Sequence, residues 1–521
     1  MIREIRVANF RSLRETNDIK IKAINILVGK NSSGKSSLLR LFPLLRQSVE
    51  SEIKGPLLWY GRLVDFGSFR ETQSNSAQAK PVALRFKLDN LRSNRFSPVA
   101  PDILGSITDR PEMPSTVASC EIQLGRGDQD HVGLASKLEL DIYGDKIEIH
   151  IADSLNVSVT LNGTLVSLPG KTVWYASEGR LLPRLYLLEK IASGSVSRFA
   201  SVSGKRISDW LATKMHKLAH KNTSIERLET LSDGVSFKNK NAFFESMVES
   251  PHSTRQFTKK IRELGASSNQ VAELRSATLV KALPGILEEI DLQLTTFARG
   301  VRYIEPLRAS AERYYRLQDL AVDEIDSRGA NTAMFLNSLS PHDSEQLQTW
   351  TQSIFGFRAF SDRTSGHVAI MIQTGEDSPK NIADLGFGFS QVLPVILQLW
   401  FTCIHRGRQG IGKAKPTLIA MEQPELHLHP HYQALLADVF AAVADASTPR
   451  NDKVPLFIET HSEHIINRIG ALIQSGKLRP EHVQVLLFEK EGVRTTVSQV
   501  GFDEDGLLDR NWPFGFFVPE N

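Results

Sequence analysis

The feature that most restricts what this chain can fold into is an eight-residue loop: Gly29, Lys30, Asn31, Ser32, Ser33, Gly34, Lys35 and Ser36. Ahead of it, Ala23 to Val28 is apolar and β-branched and reads as a buried strand. Behind it, Leu38, Leu39, Leu41 and Phe42 recur at helical spacing. A GxxxxGK[ST] run between a strand and a helix is a phosphate-binding loop. Its glycines let consecutive backbone N–H groups turn inward around phosphate oxygens, and the following helix points its positive end at them. Lys35 then reaches the β and γ phosphates, and the Ser36 hydroxyl ligates Mg²⁺. The expected binding set is Gly29, Asn31, Ser32, Ser33, Gly34, Lys35, Ser36 and Ser37. Pro43 is expected to kink or end the first helix after about Phe42. Arg11, just upstream, could approach the nucleotide or be a surface arginine beside a strand.

At 521 residues the chain exceeds what one core usually supports, which implies several domains or one domain with a large insertion. The formal net charge of +3 is near neutral for this size, so a nucleic-acid or membrane surface would have to be a local patch. Two cysteines, Cys120 and Cys403, exclude a disulfide framework and a cysteine-rich zinc site, and a reducing cytoplasm is expected. The opening MIREIRVANF lacks the pattern of a secretion signal. Val392 to Ile404 is too short to span a bilayer and reads as a buried helix, so no membrane association is expected of the chain itself.

Two further strands end in chemistry. Thr417 to Met421 is apolar and runs into Glu422, Gln423, Pro424 and Glu425, and a strand ending in an acid here is a Walker B element. Glu422 is placed to hold Mg²⁺ through water or through Ser36. Val454 to Ile458 leads into Glu459, Thr460, His461 and Ser462. Parallel sheets put ligands at the carboxyl ends of their strands, which makes His461 a candidate γ-phosphate sensor. His427, His429, His431, His461 and His464 with Glu425 invite a metal reading, but neither HExxH nor a Cys/His zinc spacing is present.

Between these elements lies Ala383 to Gln391, with Gly386 and Gly388 ahead of the apolar run Val392 to Trp400. Ser390 is expected to cap this helix, and Pro394 is tolerable near its first turn. The segment could offer a second anion site or be a glycine-rich cap on a buried helix.

Together, GKNSSGKSS, EQPELHLHP, ETHSEH and Tyr303, Pro306 and Arg308 in YIEPLR resemble the ABC-type ATPase heads of the SMC, RecF and OLD group. The tail Trp512 to Phe517 looks like that of prokaryotic AAA-family ATPases, several of which serve phage-defence systems such as Septu and ATPase-containing retrons beside a separate nuclease. The resemblance covers roughly residues 1 to 180 and 300 to 521. It implies an α/β fold, an ABC-type P-loop head with an antiparallel β-subdomain, and ATP with Mg²⁺ as cofactors. It also implies a head-to-head homo-oligomer in which Gly388, Ser390 and Gln391 contact the γ-phosphate bound by a partner copy. The segment GFGFSQ departs from LSGGQ, and His429 falls near the expected D-loop aspartate. Gln423 stands where most relatives carry the glutamate that polarises the attacking water, and glutamine is a much poorer proton acceptor. Gln423, Glu425 and His461 are the expected catalytic set, with slow hydrolysis an open reading.

Residues 81 to 176 alternate like short antiparallel strands, with YGDK as a hairpin turn. From about 182 to 300 the pattern reads as helical, opening with Leu185 and Leu188 and lacking sustained heptads. The expected division is 1–180, a helical insertion at 181–300, and 301–521. Basic residues recur from Lys205 to Arg262, which suits either a nucleic-acid or partner surface or solvated helix faces. The residues after the ETHSEH helix are too few for the nuclease domain of OLD-type enzymes, so a nuclease would come from a partner. The function implied by the resemblance is an ATPase that controls or recruits such an effector in phage defence. The alternatives are a RecF-like DNA-maintenance ATPase and a non-hydrolysing ATP-dependent scaffold. An ABC transporter subunit fits poorly, given the insertion and the absent LSGGQ.

Overall fold

The computed structural model describes residues 2–74, 80–89, 117–126, 132–168, 172–193, 196–201, 204–236, 239–318, 322, 324–404, 415–445, 454–492 and 494–509. The tail motif Trp512 to Phe517 and the basic residue Lys238 lie outside this set.

The phosphate-loop strand, Ile24–Gly29, is buried along its whole length. Its alternation serves two layers. Ile24, Ile26 and Val28 face one hydrophobic core, and Leu27 faces the other. A strand apolar on both faces belongs in the middle of a covered parallel sheet, and this one pairs in parallel with Leu456–Glu459 on one side and Val483–Glu491 on the other. Beyond Leu456–Glu459 the parallel order continues through Leu418–Glu422 to Val301–Ile304.

The polar residue in this strand is satisfied within the sheet. Buried Asn25 donates to the carbonyls of Lys22 at 2.7 Å and Leu456 at 2.9 Å, and its oxygen accepts from Gln484 at 2.6 Å. These bonds tie the three central strands together.

In the other direction Val483–Glu491 turns back into Arg494–Val500, which reaches Leu13–Glu15 through one pairing, Leu13 with Thr495. Ile2–Phe10 then carries the sheet into an antiparallel lobe of Val82–Leu88, Ala118–Arg126, Gly133–Ile142, Asp145–Ile151 and Val157–Leu161. Among the described residues the whole forms one 15-stranded sheet. The YGDK turn closes a hairpin with Tyr143 and Gly144 both at positive φ, as a two-residue primed turn requires.

The segment read as helical from 182 begins differently. Arg184–Ser193 and Val196–Ser201 are strands and form a three-stranded antiparallel sheet with Thr172–Ser177. Leu185 and Leu187 are buried at a spacing of two, which is strand periodicity. Helices follow from Gly204 and share a small core around Leu211, Phe243, Phe257 and Val271. The 31-residue helix Asn269–Arg299 joins the layers, with Val271 and Leu274 in that small core and Leu279 to Ala298 in the main one.

The helix after the loop breaks earlier than expected. It runs Lys35–Leu39, turns at Arg40, and resumes as Leu41–Glu50. Pro43 lies in the first turn of the second piece, where backbone N–H groups lack intrahelical partners, so it neither kinks nor ends it. No described helix is long and apolar enough to cross a membrane.

Candidate functional site

The carboxyl ends of the central parallel strands meet the phosphate loop around a cleft of about 620 Å³. Residues Asn31 to Ser37 line it, as do Gln423, Glu459, His461, Arg11, Gln73 and Lys490. Gly29 sits behind the loop; a Cβ there would lie 2.4 Å from the Phe488 carbonyl. Gly34 has φ +101°, and a Cβ on it would stand 2.5 Å from Ser12 Oγ. Both places admit glycine only, which is why the motif needs it.

Lys35 folds over the loop and donates to the carbonyls of Gly29 at 2.9 Å and Lys30 at 3.0 Å. Its ammonium is 3.9 Å from Glu459 Oε1. Burial holds its pKa below the ordinary lysine value, against the raising effect of Glu459.

The two strand-end carboxylates are turned to different partners. Glu459 Oε1 accepts from Ser36 Oγ at 2.9 Å, and burial pushes this carboxyl up to about 7. The Ser36 bond opposes that rise and Glu422 adds to it. Glu422, expected beside Ser36, is instead gripped by Arg40, whose Nε and Nη2 each donate at 2.7 Å. The Tyr303 hydroxyl adds a third bond at 2.6 Å. Arg40 stands at the turn between the two helical pieces, and its side chain crosses from there to the strand end. The sequence marks Tyr303 and Glu422 separately but not the bond between them, and it gives no sign of Arg40. An arginine four residues after a P-loop serine carries no signal of its own.

Gln423 lines the cleft with φ +42°, a conformation sparsely used outside glycine. Its N–H donates to the Glu459 carbonyl at 2.8 Å. Glu425 does not line the cleft. It is 8% exposed, and its Oε1 accepts from the His461 backbone N–H at 2.8 Å, so it shapes the segment that carries His461. Burial raises its pKa. His461 does line the cleft, and desolvation first and Lys35 second hold it below the ordinary imidazole value.

The signature-like residues stand elsewhere. Gly388, Ser390 and Gln391 lie on the helix Phe387–Leu399 and are not among the cleft's lining. The helix is capped at Gly386, not Ser390; the Ser390 hydroxyl donates to the Phe387 carbonyl at 2.7 Å. Pro394 lies in the helix interior rather than its first turn. Arg308 ties this helix to the Walker strand by donating to the carbonyls of Gln391 at 2.6 Å and Gln423 at 2.8 Å. Arg11 lines the cleft and lies over the Phe66 ring, 5.4 Å from its centroid. The hairpin tip at Lys490 and Gly492, read from sequence only as a turn, also reaches the cleft, because Phe488 pairs with Gly29.

These residues suit a nucleotide phosphate with a divalent cation. Ser33 Oγ and Glu459 Oε2 are buried without hydrogen-bond partners, and both belong to residues lining the cleft. The loop would hold the phosphates with Lys35 neutralising their charge, and the cation would sit against Ser36.

No curated protein matches the sequence. Among solved structures, the chain is similar to a Pyrococcus furiosus Smc head domain with an extended coiled coil, bound to the C-terminal domain of ScpA. The identity is 10% and the TM-score 0.36, with 96% of each chain covered. It is likewise similar to the SMC head domain from Thermotoga maritima, at 7% identity and TM-score 0.35, over 95% of this chain and 98% of that one. A family model for the AAA ATPase domain matches residues 1–466 of the 521, and the chain is an ATPase of that family.

Proposed function

We propose that the chain binds Mg·ATP in the phosphate-loop cleft, pairs head to head with a second copy across the nucleotide, and uses that pairing to control a separate effector. One observation carries the reading. The helix start at Gly386 is exposed and lies outside the lining of the chain's own cleft, and Phe387 is 48% exposed there with its ring edge-on to His427. A glycine-lined helix start offers N–H groups to an anion, and a partner copy's γ-phosphate would supply one. Gly388 would then act in trans through its backbone, while Ser390 and Gln391, expected to contact the same phosphate, are buried at 8% and 1% exposure and would support the helix start from behind. The support for an effector of nuclease type in phage defence is the resemblance of the tail Trp512 to Phe517 to that of defence-system ATPases. Sedimentation velocity with and without Mg·ATP tests the pairing. Wild type should shift to a dimer with nucleotide, and Phe387→Glu should stay monomeric while still binding ATP. A monomer under every condition sinks the proposal.

A second reading is favoured by Gln423. With an amide at the strand end, the site lacks a proton acceptor where hydrolysis needs one, so ATP would serve as a clamp in a scaffold that turns over slowly or not at all.

A further inference from the structure

Glu422 and Glu459 are paired in register at the ends of adjacent parallel strands, so both reach the same edge of the sheet. What separates them is how their oxygens are used. Both oxygens of Glu422 are taken by the Arg40 fork, and Tyr303 takes a further lone pair. Releasing that carboxylate to a cation would break a charge-assisted pair whose acid is 3% exposed. Glu459 has one oxygen on Ser36 Oγ and the other buried with no partner. A hydroxyl that gives its proton to a carboxylate keeps its lone pairs for a cation, so this hydrogen bond prepares Ser36 as a ligand. Mg²⁺ keeps several waters and takes only one or two carboxylates beside the substrate phosphates, so one well-placed acid is enough.

We infer that Glu459, and not the Walker-strand Glu422, is the carboxylate that completes the divalent-cation site with Ser36, while Glu422 is a structural acid held by Arg40 and Tyr303. The inference rests on the proposed Mg·ATP reading of the cleft.

The test is ATP affinity by calorimetry, in Mg²⁺ and in EDTA, for wild type, Glu459→Gln and Glu422→Gln. Wild type should bind more tightly in Mg²⁺, Glu459→Gln should erase about tenfold or more of that gain while keeping its affinity in EDTA, and Glu422→Gln should retain the gain. Mn²⁺ in place of Mg²⁺ adds a spectroscopic reading: the EPR spectrum of bound Mn·ATP should change in Glu459→Asp and not in Glu422→Gln. This arm stands if Glu459→Gln fails to fold. Retention of the gain in Glu459→Gln, or its loss in Glu422→Gln, overturns the assignment. Absence of ATP binding by wild type under both conditions would instead remove the nucleotide reading itself.

Discussion

Arg308 holds the backbone carbonyl of Gln423 at 2.8 Å while a second nitrogen of the same guanidinium holds that of Gln391 at 2.6 Å. The strand end that faces the nucleotide cleft and the helix that starts at Gly386 are thus fastened through one side chain. Burial lowers its pKa to about 10, with Glu425 pulling the other way. Removing it as Arg308→Ala leaves two buried carbonyls short of a donor and should cost about 2–4 kcal/mol of unfolding free energy in urea titrations. Arg308→Lys should recover only part, because a single ammonium cannot reproduce the planar fork.

The clamp on Glu422 makes a separate prediction. Arg40→Ala should destabilise by about 1–3 kcal/mol, a figure reduced from that of a fully buried pair because the Arg40 side chain is 38% exposed. Tyr303→Phe should cost about 1 kcal/mol. Thermal melts of the two single variants and the double variant check both, and the double should fall short of their sum because the residues share one acid.

On the proposed reading, Gln423 is what limits turnover. Wild type should hydrolyse ATP slowly, and Gln423→Glu should raise the steady-state rate by about 10²-fold by restoring a proton acceptor at the cleft. Lys35→Ala in either background should abolish it. No gain in Gln423→Glu would mean that the amide is not what limits the rate.

Cys120 is fully buried, and burial pushes its thiol up to about 12. The sign follows from linkage: the unfolded thiol ionises near 9, so this residue's contribution to stability is intact below about pH 9 and is lost as pH rises toward about 12. In a Cys403→Ser background, alkylation of Cys120 at pH 8 should proceed only as fast as the protein unfolds. Labelling at a free-thiol rate would contradict the burial.

The loop, its flanking strand and helix, and the two acid-ended strands were legible in the sequence because each is a local pattern with its chemistry on adjacent residues. The antiparallel lobe was legible from its alternation and its YGDK turn. Which acid faces Ser36 was not, since Glu422 is engaged by an arginine beyond the loop and a tyrosine from another strand. The strands from Arg184 to Ser201 were missed because leucines at 185, 187 and 188 satisfy strand and helix spacing alike over so short a run. The placing of Lys490 by the loop came from register between strands far apart in the chain, which no local window contains.

The amide of Asn25 bonds to the carbonyl of Leu456 across 431 residues of sequence. Both parallel neighbours of the phosphate-loop strand are made only after that interval. At synthesis rates of about 5–20 residues per second the loop therefore leaves the ribosome on the order of tens of seconds before its sheet can close around it. Through that time an apolar strand with two unpaired edges is exposed, which makes nascent chains of this protein candidates for chaperone holding and renders late truncations unable to form the cleft at all.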